Sequence, residues 1–88
     1  MKTTREEVYS AIDNERDYQD KIWTESGANG DGILSIGDQI LLIEEYASKA
    51  RSLWSKESCP ELGALNIIRK IAGIAVHCME DHGAIKRV

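Results

Sequence analysis

The chain has 88 residues and a mass of 9.8 kDa, enough for one domain (residues 1–88) and too little for a second. Eleven Lys and Arg stand against fifteen Asp and Glu, a net charge of −4, which opposes the sequence-independent phosphate attraction of a general DNA-binding protein. One local pocket on an acidic molecule can still be basic, so small anionic ligands stay open. A chain of this length buries little more than about 60% of the surface its unfolded form exposes, which makes self-association an expected source of further stability. No uninterrupted apolar run approaches the roughly 20 residues of a membrane span, and the start MKTTREEVYS lacks the apolar centre of a secretion signal. The expectation is a soluble cytosolic protein without a membrane partner, whose two cysteines, Cys59 and Cys78, are reduced packing residues.

In chain order, Thr4 and Glu7 form a Thr-x-x-Glu capping pair, and the polar-apolar pattern after it predicts a first helix over about residues 5–23. Within it Tyr9, Arg16, Tyr18, Lys21 and Trp23 interleave with Asp13, Asp17 and Asp20. Tyr9, Ile12 or Asp13, and Arg16 share a face at helical spacing. Rings that stack on a base beside cations that meet a phosphate compose a small nucleotide site; the same residues also compose a solvated face with Tyr9 packed at its edge. The segment TESGANGDG, residues 24–32, has the glycines and Asn/Asp of a turn.

Ser35 and Asp38 repeat the capping spacing and open a second helix that runs to about Ser55. Its stripe is Ile36, Ile40, Ile43, Ala47, Ala50 and Trp54, widened by Leu42, Tyr46 and Leu53, as a helix with more than one neighbour requires. Pro60, with Ser58 and Glu61 as a capping pair, opens a third helix over about 60–82, and Gly83 ends it. That helix carries two apolar stripes, Leu65/Ile68/Ala72/Ala75/Met79 and Ile67/Ile71/Ile74/Cys78. Covering both takes either full enclosure or a partner subunit, and three short helices hold little material for enclosure.

A polar edge of Asn66, Arg69, Lys70, Gly73, His77 and Glu80 runs between the stripes. Gly73 lets a ligand or another backbone approach closely. Arg69 either pairs with an acidic residue of another helix or, where symmetry gathers several copies, holds an anion.

No metal or other cofactor is expected: His77, Cys78 and His82 lack a ligand spacing. Asp17/Asp20 and Glu44/Glu45 only approximate the facing acidic turns of the all-α nucleoside-triphosphate pyrophosphatases, since adjacent glutamates on a helix point about 100° apart. There is no nucleophile-base pattern and no phosphate-cradling glycine motif. An enzyme is therefore not expected. A metal-dependent nucleotide pyrophosphohydrolase and a helical protein-binding adaptor are the alternatives to a ligand-binding protein.

Three segments together, ERDYQDKIW at 15–23, SIGDQILLIEEY at 35–46 and IRKIAGIAVHCMEDHGA at 68–84, resemble the small phage proteins called anti-CBASS protein 2. That resemblance implies an all-α fold, a short N-terminal helix followed by two long antiparallel helices, assembled as a homohexamer. It implies a counter-defence protein in the cytoplasm of the infected bacterial host, which sequesters cyclic oligonucleotide second messengers without cleaving them. Cyclic dinucleotides such as cGAMP would lie between protomers, and cyclic trinucleotides at separate sites. By position, the base-stacking tyrosine is matched by Tyr9, the phosphate-contacting lysine by Lys21, and the arginine of the trinucleotide site by Arg69. Gly73 stands where some relatives carry a hydroxyl.

Overall fold

The computed structural model describes residues 2–26, 34–56 and 60–87. The described residues form three helices: α1 (Arg5–Ser26), α2 (Ile36–Lys56) and α3 (Pro60–His82). No strand occurs among the described residues.

The starts of α1 and α2 are fixed by the pairs read from the sequence. Glu7 N–H donates to Thr4 Oγ1 at 3.1 Å, and Thr4 N–H donates back to Glu7 Oε1 at 3.1 Å, so two otherwise orphaned amides are satisfied. These bonds from the Thr4 amide, and then from its hydroxyl, hold the Glu7 carboxyl below its usual 4.5. Because the folded value is depressed, the cap is strongest above that range and weakens as pH falls through it. Asp38 N–H donates to Ser35 Oγ at 3.0 Å at the start of α2. At the far end of α3, Gly83 takes a φ of +124°, where a side chain would be strained, and its N–H closes on the Met79 carbonyl at 2.8 Å. The Ser58–Glu61 cap, Cys59 and most of the 24–32 turn lie outside the described residues.

One expectation is corrected. The first helix is not short: at 22 residues it matches α2 with 21 and α3 with 23. It carries no glycine or proline from Arg5 to Ser26, so nothing stops it before Gly27, and Thr24, Glu25 and Ser26 extend the helix where a turn was expected.

α3 is the central element. Both other helices pack on it, and α1 and α2 do not pack on each other among the described residues. His82 Nε2 donates to the Leu34 carbonyl, just before α2, at 2.7 Å, and Gly63 near the start of α3 lies against Leu53 near the end of α2. The Ile67/Ile71/Ile74/Cys78 stripe is the covered one: Ile67 and Ile74 are buried, Ile71 and Cys78 half-buried. Leu65, Ile68 and Met79 of the other stripe stay 59%, 55% and 46% exposed. α3 is therefore central without being enclosed.

On α2 the flanking residues, not the predicted stripe, are the more covered. Leu42, Tyr46 and Leu53 are all half-buried; of the stripe only Ile43 and Ala50 are, whereas Ile36, Ile40, Ala47 and Trp54 are exposed. Gln39 shares the covered side and is fully buried, with neither amide atom hydrogen-bonded. A buried unpaired amide costs about 1–3 kcal/mol. Gln39→Leu, close in volume and without polar atoms, is therefore expected to raise the thermal midpoint by several degrees, about 4–8 °C for each kcal/mol in a domain of this size. Thermal denaturation followed by circular dichroism checks this; an unchanged or lowered midpoint would show that Gln39 is not a destabilising burial.

By length and composition alone α3 could cross a membrane: an 18-residue window within Glu61–His82 has a mean hydropathy of 1.3. Reading separate apolar runs passes over it, because Arg69 and Lys70 interrupt the pattern.

Candidate functional site

The joint between α1 and α3 is polar. Arg16, read in the sequence as part of a nucleotide site or a solvated face, is buried here together with Glu15 and Gln19 of α1. Arg16 donates through Nε to Glu80 Oε1 at 3.0 Å, through Nη2 to Asp20 Oδ1 at 2.8 Å and through Nη1 to Gln19 Oε1 at 3.3 Å. Gln19 Nε2 donates to Glu15 Oε2 at 3.1 Å and to the Lys70 carbonyl of α3 at 3.2 Å. A burial of this kind is tolerable only because each polar group finds a partner.

Gly73 is what brings the two helices together. A Cβ there would sit 2.8 Å from Gln19 Nε2 and 2.9 Å from Gln19 Oε1, too close for an atom, and 3.0 Å from Glu15 Cγ, a tight contact. The missing side chain thus admits the buried tip of Gln19 from α1. Arg69, one turn earlier on α3, donates through Nε to Glu15 Oε1 at 2.8 Å and through Nη1 to Asn66 Oδ1 at 2.7 Å. Of the two roles open to Arg69 in the sequence, pairing with an acidic residue of another helix is realised within one chain.

Beside this joint is an open cleft of about 620 Å³ between α1 and α3. Its α1 wall carries Asn14, Asp17, Tyr18 and Lys21, which fall on one helical face at spacings of three and four; its α3 wall carries Asn66, Arg69 and Lys70. Lys21 and Arg69, assigned to separate contacts in the sequence, therefore line the same cleft. Neither lysine forms an ion pair among the described residues, and Arg69 Nη2 has no hydrogen-bond partner there.

Tyr9 lies elsewhere. It is 60% exposed, three turns before Lys21, a rise of about 18 Å along α1, and by helical geometry about 180° around the axis from Tyr18. Its face-mate Arg16 is committed to the joint with α3. Lys70 and Tyr18 are the cleft residues that motif reading passed over: each was visible as one member of a mixed polar face, with no spacing that singled it out. No group of three or more His, Cys, Asp or Glu suited to a metal ion occurs among the described residues.

No protein-family profile, curated protein or solved structure matches this chain. The functional reading rests on these residues and their arrangement.

Proposed function

We propose that the protein is a multimeric all-helical sponge that binds cyclic oligonucleotide second messengers and releases them unchanged, denying them to a bacterial immune effector. The observation that carries this reading is the meeting of Lys21 and Arg69 in one cleft with a third cation, Lys70, on a chain whose net charge is −4. Its mechanism is mass action: protein in excess of messenger, with a dissociation constant below the effector's threshold, keeps the free messenger too scarce to act. No bond is broken, so no metal or general base is called for.

Assembly is part of the proposal, up to the homohexamer that the sequence resemblance implies, with α2 and α3 as the antiparallel pair. The single chain exposes 7138 Å² where a compact monomer of its mass exposes about 5,200 Å². Its radius of gyration is 14.3 Å against about 12 Å for a compact domain of this length. The bare apolar faces of α2 and α3, with Ile36, Ile40, Trp54, Leu65 and Ile68 each more than half exposed, are surface that a second copy would cover. Tyr9 fits this scheme as a stacking ring supplied by a second copy, since it points away from the cleft of its own chain. Cyclic dinucleotides are the first ligand class; cyclic trinucleotides, reached by copies of Arg69 about an assembly axis, are the second.

Equilibrium dialysis against a cyclic dinucleotide and a cyclic trinucleotide tests the reading. Lys21→Ala is expected to weaken dinucleotide binding, and less so as salt rises and screens the exposed contact. Arg69→Ala is expected to abolish trinucleotide retention and to cost about 1.5–3 kcal/mol wherever its guanidinium meets a phosphate. Wild-type protein that retains neither ligand, or variants that retain both as well as wild type, would overturn it.

A further inference from the structure

Resting on that reading, we infer that the α1–α3 cleft of each chain is a subsite for one nucleotide of the ligand, with the phosphate held chiefly by Lys70 and Lys21 at the edge of Arg69, and the base stacked on Tyr18.

The cleft is lined by three cations and two carboxylates. Glu15, buried and bound to Arg69 Nε, is consumed in orienting the guanidinium, and Asn66 holds Nη1 from the other side. An arginine fixed at two nitrogens loses little freedom when its remaining Nη2 meets an oxyanion. The Lys70 carbonyl accepts the Gln19 amide that crosses from α1, which holds the Lys70 backbone at the cleft wall and leaves its ammonium free to reach a ligand. Among the described residues the cleft is thus left with two ammonium groups outside any ion pair and one guanidinium edge without a hydrogen bond, opposed by Asp17. That is a local positive site on an acidic molecule, and its chemistry selects a phosphate over a neutral ligand.

Tyr18 adds the second half of a nucleotide. It is 57% exposed, with Asn14 a turn before it and Lys21 three residues after it on the same wall, so its ring stands open beside the cations. A base can stack on that ring while its phosphate reaches the lysines, a combination that neither a free phosphate nor an apolar molecule would use fully.

The test uses the full-length chain and three probes: cyclic di-adenosine monophosphate, 5′-adenosine monophosphate and inorganic phosphate. Binding is followed by dialysis and by amide chemical shifts of Tyr18, Lys21 and Lys70. Tyr18→Ala and Lys70→Ala are each expected to weaken the cyclic dinucleotide about fivefold or more, and Tyr18→Phe to restore it, since stacking needs the ring and not the hydroxyl. Asp17→Asn is expected to tighten it about threefold at low salt, a gain that damage to the fold does not produce. Inorganic phosphate is expected to move Lys21 and Lys70 and to leave Tyr18 unmoved.

Cyclic dinucleotide bound equally by wild type and these variants overturns the subsite and leaves sequestration standing. No retention of any cyclic oligonucleotide, with 5′-adenosine monophosphate still shifting Tyr18 and Lys70, overturns sequestration and supports the subsite. Silence at these residues toward all three probes overturns the subsite.

Discussion

Ile74→Asp is expected to unfold the protein. Ile74 is 3% exposed and belongs to a buried apolar core that, among the described residues, otherwise consists only of Ala64 and Ile67. Substitution forfeits about 1.5–3 kcal/mol of apolar burial and adds a carboxylate with no cationic partner, at a further cost of several kcal/mol. Together these reach the whole stability of an ordinary small domain, about 5–15 kcal/mol. Circular dichroism at 25 °C should therefore show lost helix. Ile68→Asp is the instructive contrast, because Ile68 is exposed in the single chain. It should keep its helical signal while light scattering drops from an oligomer to the 9.8 kDa protomer. A folded Ile74→Asp would show that this stripe is not the core; a wild type that already scatters as a monomer would remove the reason to expect pockets between copies.

Gly73→Val is the second large effect. The first atom of any side chain at this position meets Gln19 and Glu15 at 3.0 Å or less, and valine adds two more carbons beyond it. Gln19 can move only by giving up its bonds to Glu15 and to the Lys70 carbonyl. Overpacking of this sort costs about 1–3 kcal/mol, and the broken bonds bring the total to the upper end of that range. The thermal midpoint is expected to fall by about 10–20 °C. Alanine is a poorer probe, because leaving glycine in a helix returns about 1 kcal/mol and partly masks the clash. Pairing Gly73→Val with Gln19→Ala should recover part of the loss, as coupled neighbours do. A midpoint within a degree or two of wild type would mean that α1 does not cross α3 at Gly73.

The starts of α1 and α2 and the end of α3 were legible because they depend on local chemistry; the end of α1, three residues later than expected, was not. The Thr4–Glu7 and Ser35–Asp38 pairs and the positive φ of Gly83 act over three or four residues, and the sequence displays them directly. The faces were less legible. On α2 two neighbouring apolar rows compete, and nothing local says that the row of Leu42, Tyr46 and Leu53 is the more covered one while Ile36 and Ile40 stay bare. Gln39 is polar, so periodicity weighs it against burial, and its position is decided by a helix elsewhere in the chain. The α1 joint is the clearest case. Hydrophobic patterning is blind to an interface built from Glu15, Arg16 and Gln19, whose only outward signs were a glycine on the opposing polar edge and the matching charges of Arg69 and Glu80. For the same reason Lys21 and Arg69 were singled out separately, while the cleft they share, and the places of Tyr18 and Lys70 in it, were not legible.

The central claim is that the protein holds a cyclic oligonucleotide intact. It is tested most directly by mixing equimolar protein and cyclic dinucleotide, passing the mixture through a membrane that retains protein, then denaturing the retained fraction by heat and analysing what is released. The account predicts that ligand is depleted from the filtrate before heating and recovered chemically unchanged after it. Linear or mononucleotide products would instead identify a hydrolase, and ligand passing freely into the filtrate would contradict sequestration and leave a helical adaptor.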